Sequence, residues 1–259
     1  MSDSLTRTVA GFTDWAATYD RTIAEEVERY SGMAYAEVLQ RVTEAAAPPV
    51  GAKVLDIGTG TGALAFLIAR AAPGAQVIGI DPTSAMLERA TKNAERVGLR
   101  GRIEFRQAKA EALPFADGTF DLVVSNFAMH HTQVRQSLPE IARVLRPGGR
   151  LAIGDGARNP KWQSTLGCLV IPLMVAYYMV TKRSWAMMQA EVEGYKNIFY
   201  AHDWERMLAD AGFAQATVTE YPHPKSSWYS SVLIIQAEKA RPNTVRQSRA
   251  PVGGVPSSR

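Results

Sequence analysis

Cysteine is nearly absent from this sequence, and motifs that commonly bind metals are absent altogether. The one cysteine among 259 residues, Cys168, excludes an intramolecular disulfide framework. The chain has no His-Glu-x-x-His motif, cysteine pair or acid cluster with metal-ligand spacing, so we expect no metal site. Residues 1–13 lack the apolar core of a signal peptide, and no internal repeat is present. The default expectation is a cytoplasmic protein.

The chain also lacks a strong net charge once the positions of its basic residues are considered. The formal net charge is +4, and five basic residues lie in a terminal segment without acids: Lys239, Arg241, Arg246, Arg249 and Arg259. Removing these five positive charges from +4 leaves −1 for the rest of the chain. Residues 241–259 consist largely of Pro, Gly, Ser and Arg, which predicts a disordered tail after one domain over residues 1–240. A basic run this short offers few phosphate contacts, so we expect no nucleic-acid partner.

Strand and helix patterns alternate along most of the chain. A helical pattern over Trp15–Ala46 comes first. Seven strands are predicted after it: Lys53–Ile57, Val77–Ile80, Ile103–Gln107, Leu122–Ser125, Arg150–Ile153, Thr217–Tyr221 and Val232–Ala237. The helices predicted between them are Thr61–Ala72, Ser84–Val97, Val134–Leu145 and Asp203–Ala211. This alternation is typical of an α/β fold in which helices cover both faces of a parallel sheet.

Three glycines at alternate positions follow the first predicted strand. Gly58, Gly60 and Ala63 fit the dinucleotide fingerprint, and Asp81 follows at the spacing of a ribose-binding acid. However, the carboxylate of Asp56 would lie close to the pyrophosphate of a dinucleotide, which disfavours that ligand. A ligand with an amino acid end, a ribose and a base but no phosphate suits these residues better. S-adenosylmethionine has these parts.

Five sequence blocks carry a family resemblance: Val54–Gly62, Gly79–Leu87, Ala112–Phe115, Phe120–Ser125 and Leu145–Leu151. In this order and spacing they resemble the class I S-adenosylmethionine-dependent methyltransferases, and among them the small-molecule enzymes that include the ubiquinone and menaquinone methyltransferases. The resemblance extends from Phe12 to Gly154 and more weakly to Gln236. It implies a doubly wound, mostly parallel seven-stranded sheet that is Rossmann-like. It also implies an N-terminal helical cap over residues 13–47 and a helical lid insertion over residues 159–200.

The resemblance further implies a set of contacts with the cofactor: Tyr19, Asp56, Gly58, Thr59, Gly60, Asp81, Pro82, Met86, Ala110, Glu111 and Ser125. We expect Asp56 near the ammonium group of S-adenosylmethionine and Asp81 on the ribose hydroxyls, although either acid could instead fix the local backbone. Tyr19 and Met86 are interpreted either as cofactor contacts or as ordinary core residues. Lys109 stands where many relatives have an acid that accepts from the adenine amine. Because lysine has no acceptor, adenine binding is expected to be arranged differently.

His130 and His131 follow the fourth predicted strand, at the edge of the expected active site. One of them could act as a general base, which methyl transfer needs only if the nucleophile arrives protonated. A histidine that fixes the loop by a hydrogen bond is the alternative. Because adjacent helical residues point in different directions, the pair alone should not form a metal site.

The most apolar run, Leu166–Val180, is 15 residues long and is interrupted by Pro172. About 20 apolar residues are needed to span a bilayer, so we predict a buried lid helix, with a peripheral membrane contact as the alternative. An apolar wall over the site favours a hydrophobic or aromatic small-molecule acceptor. The predicted function is methyl transfer from S-adenosylmethionine to such an acceptor. A nicotinamide-dependent oxidoreductase and a non-catalytic S-adenosylmethionine-binding protein remain alternatives, and the oligomeric state is left open.

Overall fold

The computed structural model describes residues 3–164 and 184–241, together with residues 169, 172, 173, 176, 177 and 180. The tail predicted over residues 241–259 lies outside the described residues except for Arg241, and so does most of the apolar run at 166–180.

Seven strands make up one sheet. Their bounds are β1 (Lys53–Ile57), β2 (Gln76–Asp81), β3 (Ile103–Gln107), β4 (Phe120–Asn126), β5 (Leu145–Gly156), β6 (Phe213–Tyr221) and β7 (Val232–Lys239). The order across the sheet is β3-β2-β1-β4-β5-β7-β6, and β7 runs antiparallel to both of its neighbours while the other pairs are parallel. The predicted doubly wound, mostly parallel sheet is confirmed.

Helices precede the sheet and connect its strands. Their bounds are α1 (Asp3–Trp15), α2 (Tyr19–Ser31), α3 (Tyr35–Ala46), α4 (Ala63–Ala71), α5 (Ser84–Arg96), α6 (Val134–Val144), α7 (Trp185–Lys196) and α8 (Ala201–Asp210). Short 3₁₀ helices span Met129–His131 and Pro160–Gln163. The continuous helical pattern predicted over Trp15–Ala46 is wrong, because Gly32 takes the left-handed conformation (φ 68°) and ends α2.

The two faces of the sheet pack against different helices. Side chains alternate along a strand, so Val54 and Leu122 join the apolar cluster with α3 and α4, whereas Leu55 and Val123 join the cluster with α6 and α8. The central strands β1 and β4 are therefore buried on both faces. The order of the chain reverses between these two strands, and a parallel sheet opens a crevice at the carboxyl ends of its strands at such a reversal.

Parts of the predicted lid can be described. Three apolar side chains from the 166–180 run, Leu169, Leu173 and Val180, are 49%, 67% and 77% exposed. The prediction that this run is buried is therefore wrong for these three residues, whereas Leu173 and Val180 are helical, as predicted. Among the described residues, no helix combines the length and the apolar character needed to cross a membrane.

Candidate active site

The turn between β1 and α4 presents bare backbone to the crevice. Gly58, Gly60 and Gly62 all have positive φ angles, of 65°, 52° and 93°. A Cβ atom on Gly58 would lie 2.2 Å from the Cβ atom of Ala128, whereas one on Gly60 would meet no atom within 4 Å. The turn is therefore closed against the protein at Gly58 and open at Gly60, where a ligand can approach the main chain.

A first cavity extends from this turn along the ends of β1, β2 and β4. It encloses about 690 Å³, including space open to solvent. Eight residues of the predicted cofactor set line it: Tyr19, Gly58, Gly60, Asp81, Pro82, Met86, Ala110 and Glu111. Asp56 and Thr59 line a smaller pocket that shares Tyr19 and Asn126 with this cavity.

Ser125 lies apart from the other predicted contacts. Its side chain is buried, and its hydroxyl donates to the carbonyl oxygen of Ile57 at 2.9 Å, which ties β4 to β1. It lines neither the cavity nor the smaller pocket. The hydrogen bond gives this hydroxyl a structural role, and its contact with the cofactor stays a prediction. The next residue, Asn126, lines both spaces.

Two buried carboxylates lie at the ends of adjacent strands. Asp56 accepts from the hydroxyl of Thr59 at 2.7 Å, and Asp81 accepts from the backbone N–H groups of Gly60 at 3.1 Å and Thr83 at 2.8 Å. Burial raises the pKa of Asp56 to about 7 and that of Asp81 to about 6, because it disfavours the charged form. A cationic ligand would favour the ionised form of both acids.

Asn126 adds a hydrogen-bond donor and an acceptor to the two carboxylates, and the other end of the cavity adds an apolar surface. The side-chain nitrogen and oxygen of Asn126 are buried and make no hydrogen bond of normal length within the described part of the chain, although the amide lies near the hydroxyl of Tyr35. Buried amides are normally bonded, so these atoms are suited to a ligand. At the other end, Ile80, Pro82, Met86 and Ala110 offer an apolar surface for a flat base.

The charged residues at this apolar end have different surroundings. Lys109 lines the cavity. The carboxylate of Glu111 also lines it but already accepts from the backbone N–H of Gln133 at 2.8 Å, one residue before α6. Glu111 therefore fixes the start of a helix, and its backbone is the part more free to meet a ligand.

A second cavity lies between the N-terminal helices and the end of β5. It encloses about 1040 Å³, including space open to solvent, and its lining is mainly aromatic and aliphatic. The aromatic residues of this lining are Phe12, Trp15, Tyr19, Tyr30, Phe127, Trp162, Tyr195 and Tyr229. Four residues line both cavities: Phe12, Tyr19, Phe127 and His131. The two spaces therefore meet at these side chains.

His130 lines the second cavity and is held by Asp155, a buried residue of β5. The imidazole Nδ1 lies 2.5 Å from Asp155 Oδ1, and the backbone N–H of His130 donates to Asp155 Oδ2 at 3.0 Å. Burial lowers the pKa of His130, but the charge and hydrogen bond of Asp155 outweigh it and the pKa is raised. A carboxylate on Nδ1 orients the ring and leaves Nε2 as the nitrogen that can exchange a proton.

His131 has a different environment although it is the next residue. Its ring packs edge-on against Phe12 at 4.9 Å between centroids, and burial lowers its pKa well below the usual value. The rings of His130 and His131 lie only 4.1 Å apart, so the expectation that they point apart is wrong. Among the described residues, no group of three or more His, Cys, Asp and Glu is arranged to hold a metal ion.

Sequence reasoning missed Asp155, Asn126 and Tyr35 as residues of this region. Asp155 and Asn126 follow the same rule that singled out Asp56 and Asp81, since each is a polar residue at the carboxyl end of a strand. That signal could have found them. Tyr35 lines the smaller pocket from α3, and no local pattern indicates this long-range contact.

Comparisons with known proteins agree with this geometry. A family model described as a methyltransferase domain matches residues 55–153. The ubiquinone/menaquinone biosynthesis C-methyltransferase UbiE of Roseobacter denitrificans is 33% identical over 176 residues, which cover 66% of this chain and 69% of that protein. The demethylmenaquinone methyltransferase of Thermus thermophilus is 40% identical over 123 residues, or 47% of this chain, and the match spans only about half of that relative, 55% of its length.

A solved structure supports the fold. The geranyl diphosphate C-methyltransferase of Streptomyces coelicolor, in a complex that holds S-adenosyl-L-homocysteine, superposes with a TM-score of 0.61 over 79% of each chain. The identity is 15%, so this likeness concerns the fold alone.

Proposed function

Because the chain belongs to the class I S-adenosylmethionine-dependent methyltransferases, we propose that it transfers the methyl group of this cofactor to a small apolar acceptor. The observation that carries the proposal is the meeting of two unlike cavities. The first has buried acids and bare glycines, and the second is mainly aromatic. A methyl group presented where they meet would face an apolar molecule in the second cavity.

The residues present fit S-adenosylmethionine. Asp56 and the amide of Asn126 are suited to the amino acid end, and Asp81 to the ribose hydroxyls. Met86, Pro82 and the backbone of Ala110 and Glu111 would contact the adenine. Lys109 supplies no acceptor for the adenine amine, so a backbone carbonyl or water would have to serve there. When bound, the cofactor supplies an activated methyl group with a neutral thioether as leaving group.

The contribution of the protein is then mainly alignment and exclusion of water. Phe12, Tyr19 and Phe127 surround the junction and would hold the acceptor atom in line with the methyl group. His130 would take the proton of an acceptor that arrives protonated, and Asp155 would position the imidazole for this role. His131, whose pKa is lowered by burial, would remain neutral and pack at the junction.

A dinucleotide-dependent oxidoreductase fits the same site less well. Asp56 is buried two residues before the glycine turn, where a pyrophosphate would lie, and it would repel that charge. A protein that binds S-adenosylmethionine without catalysis would have no use for a second, aromatic cavity that contains an oriented histidine.

Calorimetry followed by an acceptor screen tests the proposal. We expect S-adenosylmethionine and S-adenosylhomocysteine to bind, a reduced nicotinamide dinucleotide not to bind, and Asp81→Asn to weaken cofactor binding by about tenfold or more. Asp210→Asn, an exposed acid at the end of α8, is the matched control. Formation of S-adenosylhomocysteine should accompany aromatic or isoprenoid acceptors. Absence of cofactor binding, or methylation restricted to small polar acceptors, would overturn the proposal.

A further inference from the structure

We propose that a groove beside the second cavity binds an anionic group of the acceptor, which makes the acceptor an amphipathic molecule with an apolar body and a carboxylate or phosphate. The groove lies between the segment that follows β5 and the loop that joins β6 to β7. Its cationic lining comes from Arg158 and Lys161. The inference rests on the proposed function, because the apolar body would lie in the second cavity.

The inference depends most on the surroundings of Arg158. This residue is only partly exposed, and its backbone N–H donates to the carbonyl oxygen of Phe199 at 3.0 Å. Its guanidinium makes no hydrogen bond or ion pair with any residue in the described part of the chain. By contrast, Arg143 is bonded to Glu140 and Asp117. The guanidinium of Arg158 therefore has its donors free for a ligand, and an anion of the acceptor would supply the oxygen atoms that a guanidinium binds most strongly.

The groove around Arg158 is built from fixed elements. The side-chain amide of Asn159, which is 8% exposed, donates to the carbonyl oxygens of Ser227 at 3.0 Å and Tyr229 at 2.7 Å. The ammonium group of Lys161 donates to the hydroxyl of Ser227. These bonds hold the loop against the segment that carries both cations. One acid, Glu220, lies among the described lining residues, so the lining is more basic than acidic.

The groove adjoins the second cavity. Tyr229 and Ser231 line both spaces. Tyr195 lines the second cavity, and burial raises the pKa of its hydroxyl. Arg158 lies close enough to Tyr195 for its positive charge to lower that pKa in part. A ligand whose apolar part occupies the aromatic cavity could therefore extend an anionic group to Arg158. An apolar molecule without that group would use the cavity alone.

Three ligands with the same eight-carbon chain test the inference: octanol, octanoate and octyl phosphate. Their binding to the whole protein would be measured by calorimetry and by the fluorescence of Trp162 and Trp228. The indole N–H of Trp162 donates to the backbone carbonyl oxygen of Trp228 near the groove. We expect one or both anions to bind about tenfold more tightly than octanol, with the preference reduced by salt. Comparison of octanoate with octyl phosphate identifies the preferred anion.

Two arginine variants make the test specific. Arg158→Gln should abolish the preference for the anions while leaving octanol binding unchanged. Arg70→Gln, at an exposed arginine near the end of α4, should retain the preference. Equal affinity for the three ligands, or a preference that survives Arg158→Gln, would overturn the inference.

Titration with S-adenosylmethionine separates this result from the proposed function. Cofactor binding without an anion preference would overturn the inference that the groove binds an anion and leave the proposed function standing. An anion preference without cofactor binding would overturn the proposed function and leave the groove as an anion site.

Discussion

At the scale of single residues, the neighbouring histidines have opposite chemistry because only one has a carboxylate partner. Both side chains are largely buried, and burial alone lowers the pKa of an imidazole. Asp155 reverses this effect for His130, whereas His131 has no such partner and has an unbonded, buried Nδ1 within the described residues. His130 is therefore the better candidate for proton transfer.

The role of Asp155 predicts a change in the pH profile. As a base, His130 acts in its neutral form, so the rate rises as the pH passes through its pKa. Asp155→Asn removes the charge that raises this pKa. We expect the rising limb of kcat against pH to move to lower pH and the plateau to fall by about 100-fold, because the imidazole is a weaker base and is less well oriented.

The measurement is kcat over pH 5 to 9 with a protonated acceptor, together with the dissociation constant of S-adenosylmethionine. The Asp210→Asn variant is the control for loss of one carboxylate. A lower rate with an unmoved limb would mean that Asp155 only supports the fold and would contradict its positioning role.

At the scale of elements, α1 and α7 form a closely packed pair of helices. Gly11 of α1 is buried against α7, and a Cβ atom there would lie 2.8 Å from both the carbonyl oxygen of Ala186 and the Cβ atom of Ala190. A hydrogen bond from the Ser184 hydroxyl to Asp14 at 3.0 Å fixes one end of the pair. Since α1 supplies Phe12 to both cavities, the spacing of these helices sets the shape of the junction.

This packing predicts that Gly11→Ala impairs the enzyme. The added methyl group would push α1 from α7, which costs about 1–3 kcal/mol as overpacking in a buried contact. We expect kcat/KM for the acceptor to fall by about tenfold, because a displaced Phe12 no longer aligns it. Gly101→Ala is the matched control, since a Cβ atom there meets nothing within 4 Å and the residue has no positive φ. Equal kinetics for the two variants would contradict the role of this contact.

The same elements indicate what the sequence can and cannot predict. The strands β1 and β3 were predicted with the bounds that the structure has. In β1 the signal is a short, mostly apolar run that is buried, and in β3 it is the alternation of apolar and polar residues from Ile103 to Arg106. The helix α1 and the break at Gly32 were missed, although a glycine in the left-handed conformation is a common helix end. The packing of α1 on α7, which is distant in the sequence, has no local signal. The junction itself joins residues of α1, α2 and the 3₁₀ helix at Met129–His131, and such long-range contacts have no sequence period.

At the scale of the whole molecule, the sheet places the carboxylates of Asp56 and Asp81 at two adjacent strand ends inside the folded chain. Burial raises their pKa values to about 7 and about 6, well above the value of about 3.9 that an aspartate has in water. The folded state therefore holds these protons more tightly than the unfolded chain does. Stability from this source is fully present below about pH 4 and is lost as the pH rises to about 7, at roughly 1.4 kcal/mol per pH unit for each group as an upper estimate.

This linkage predicts that pH acts in opposite directions on the free protein and on its response to the cofactor. Between pH 5 and pH 7.5 the melting temperature of the free protein should fall, because both acids ionise without a cation. The rise in melting temperature caused by saturating S-adenosylmethionine should grow over the same range, because the ionised acids bind the cationic ligand more tightly. In Asp56→Asn, which cannot ionise at this position, both trends should weaken, whereas Asp210→Asn should behave like the parent. Scanning calorimetry with and without the cofactor measures both trends, and an unchanged slope in Asp56→Asn would contradict the assignment of a buried, protonated acid to the end of β1.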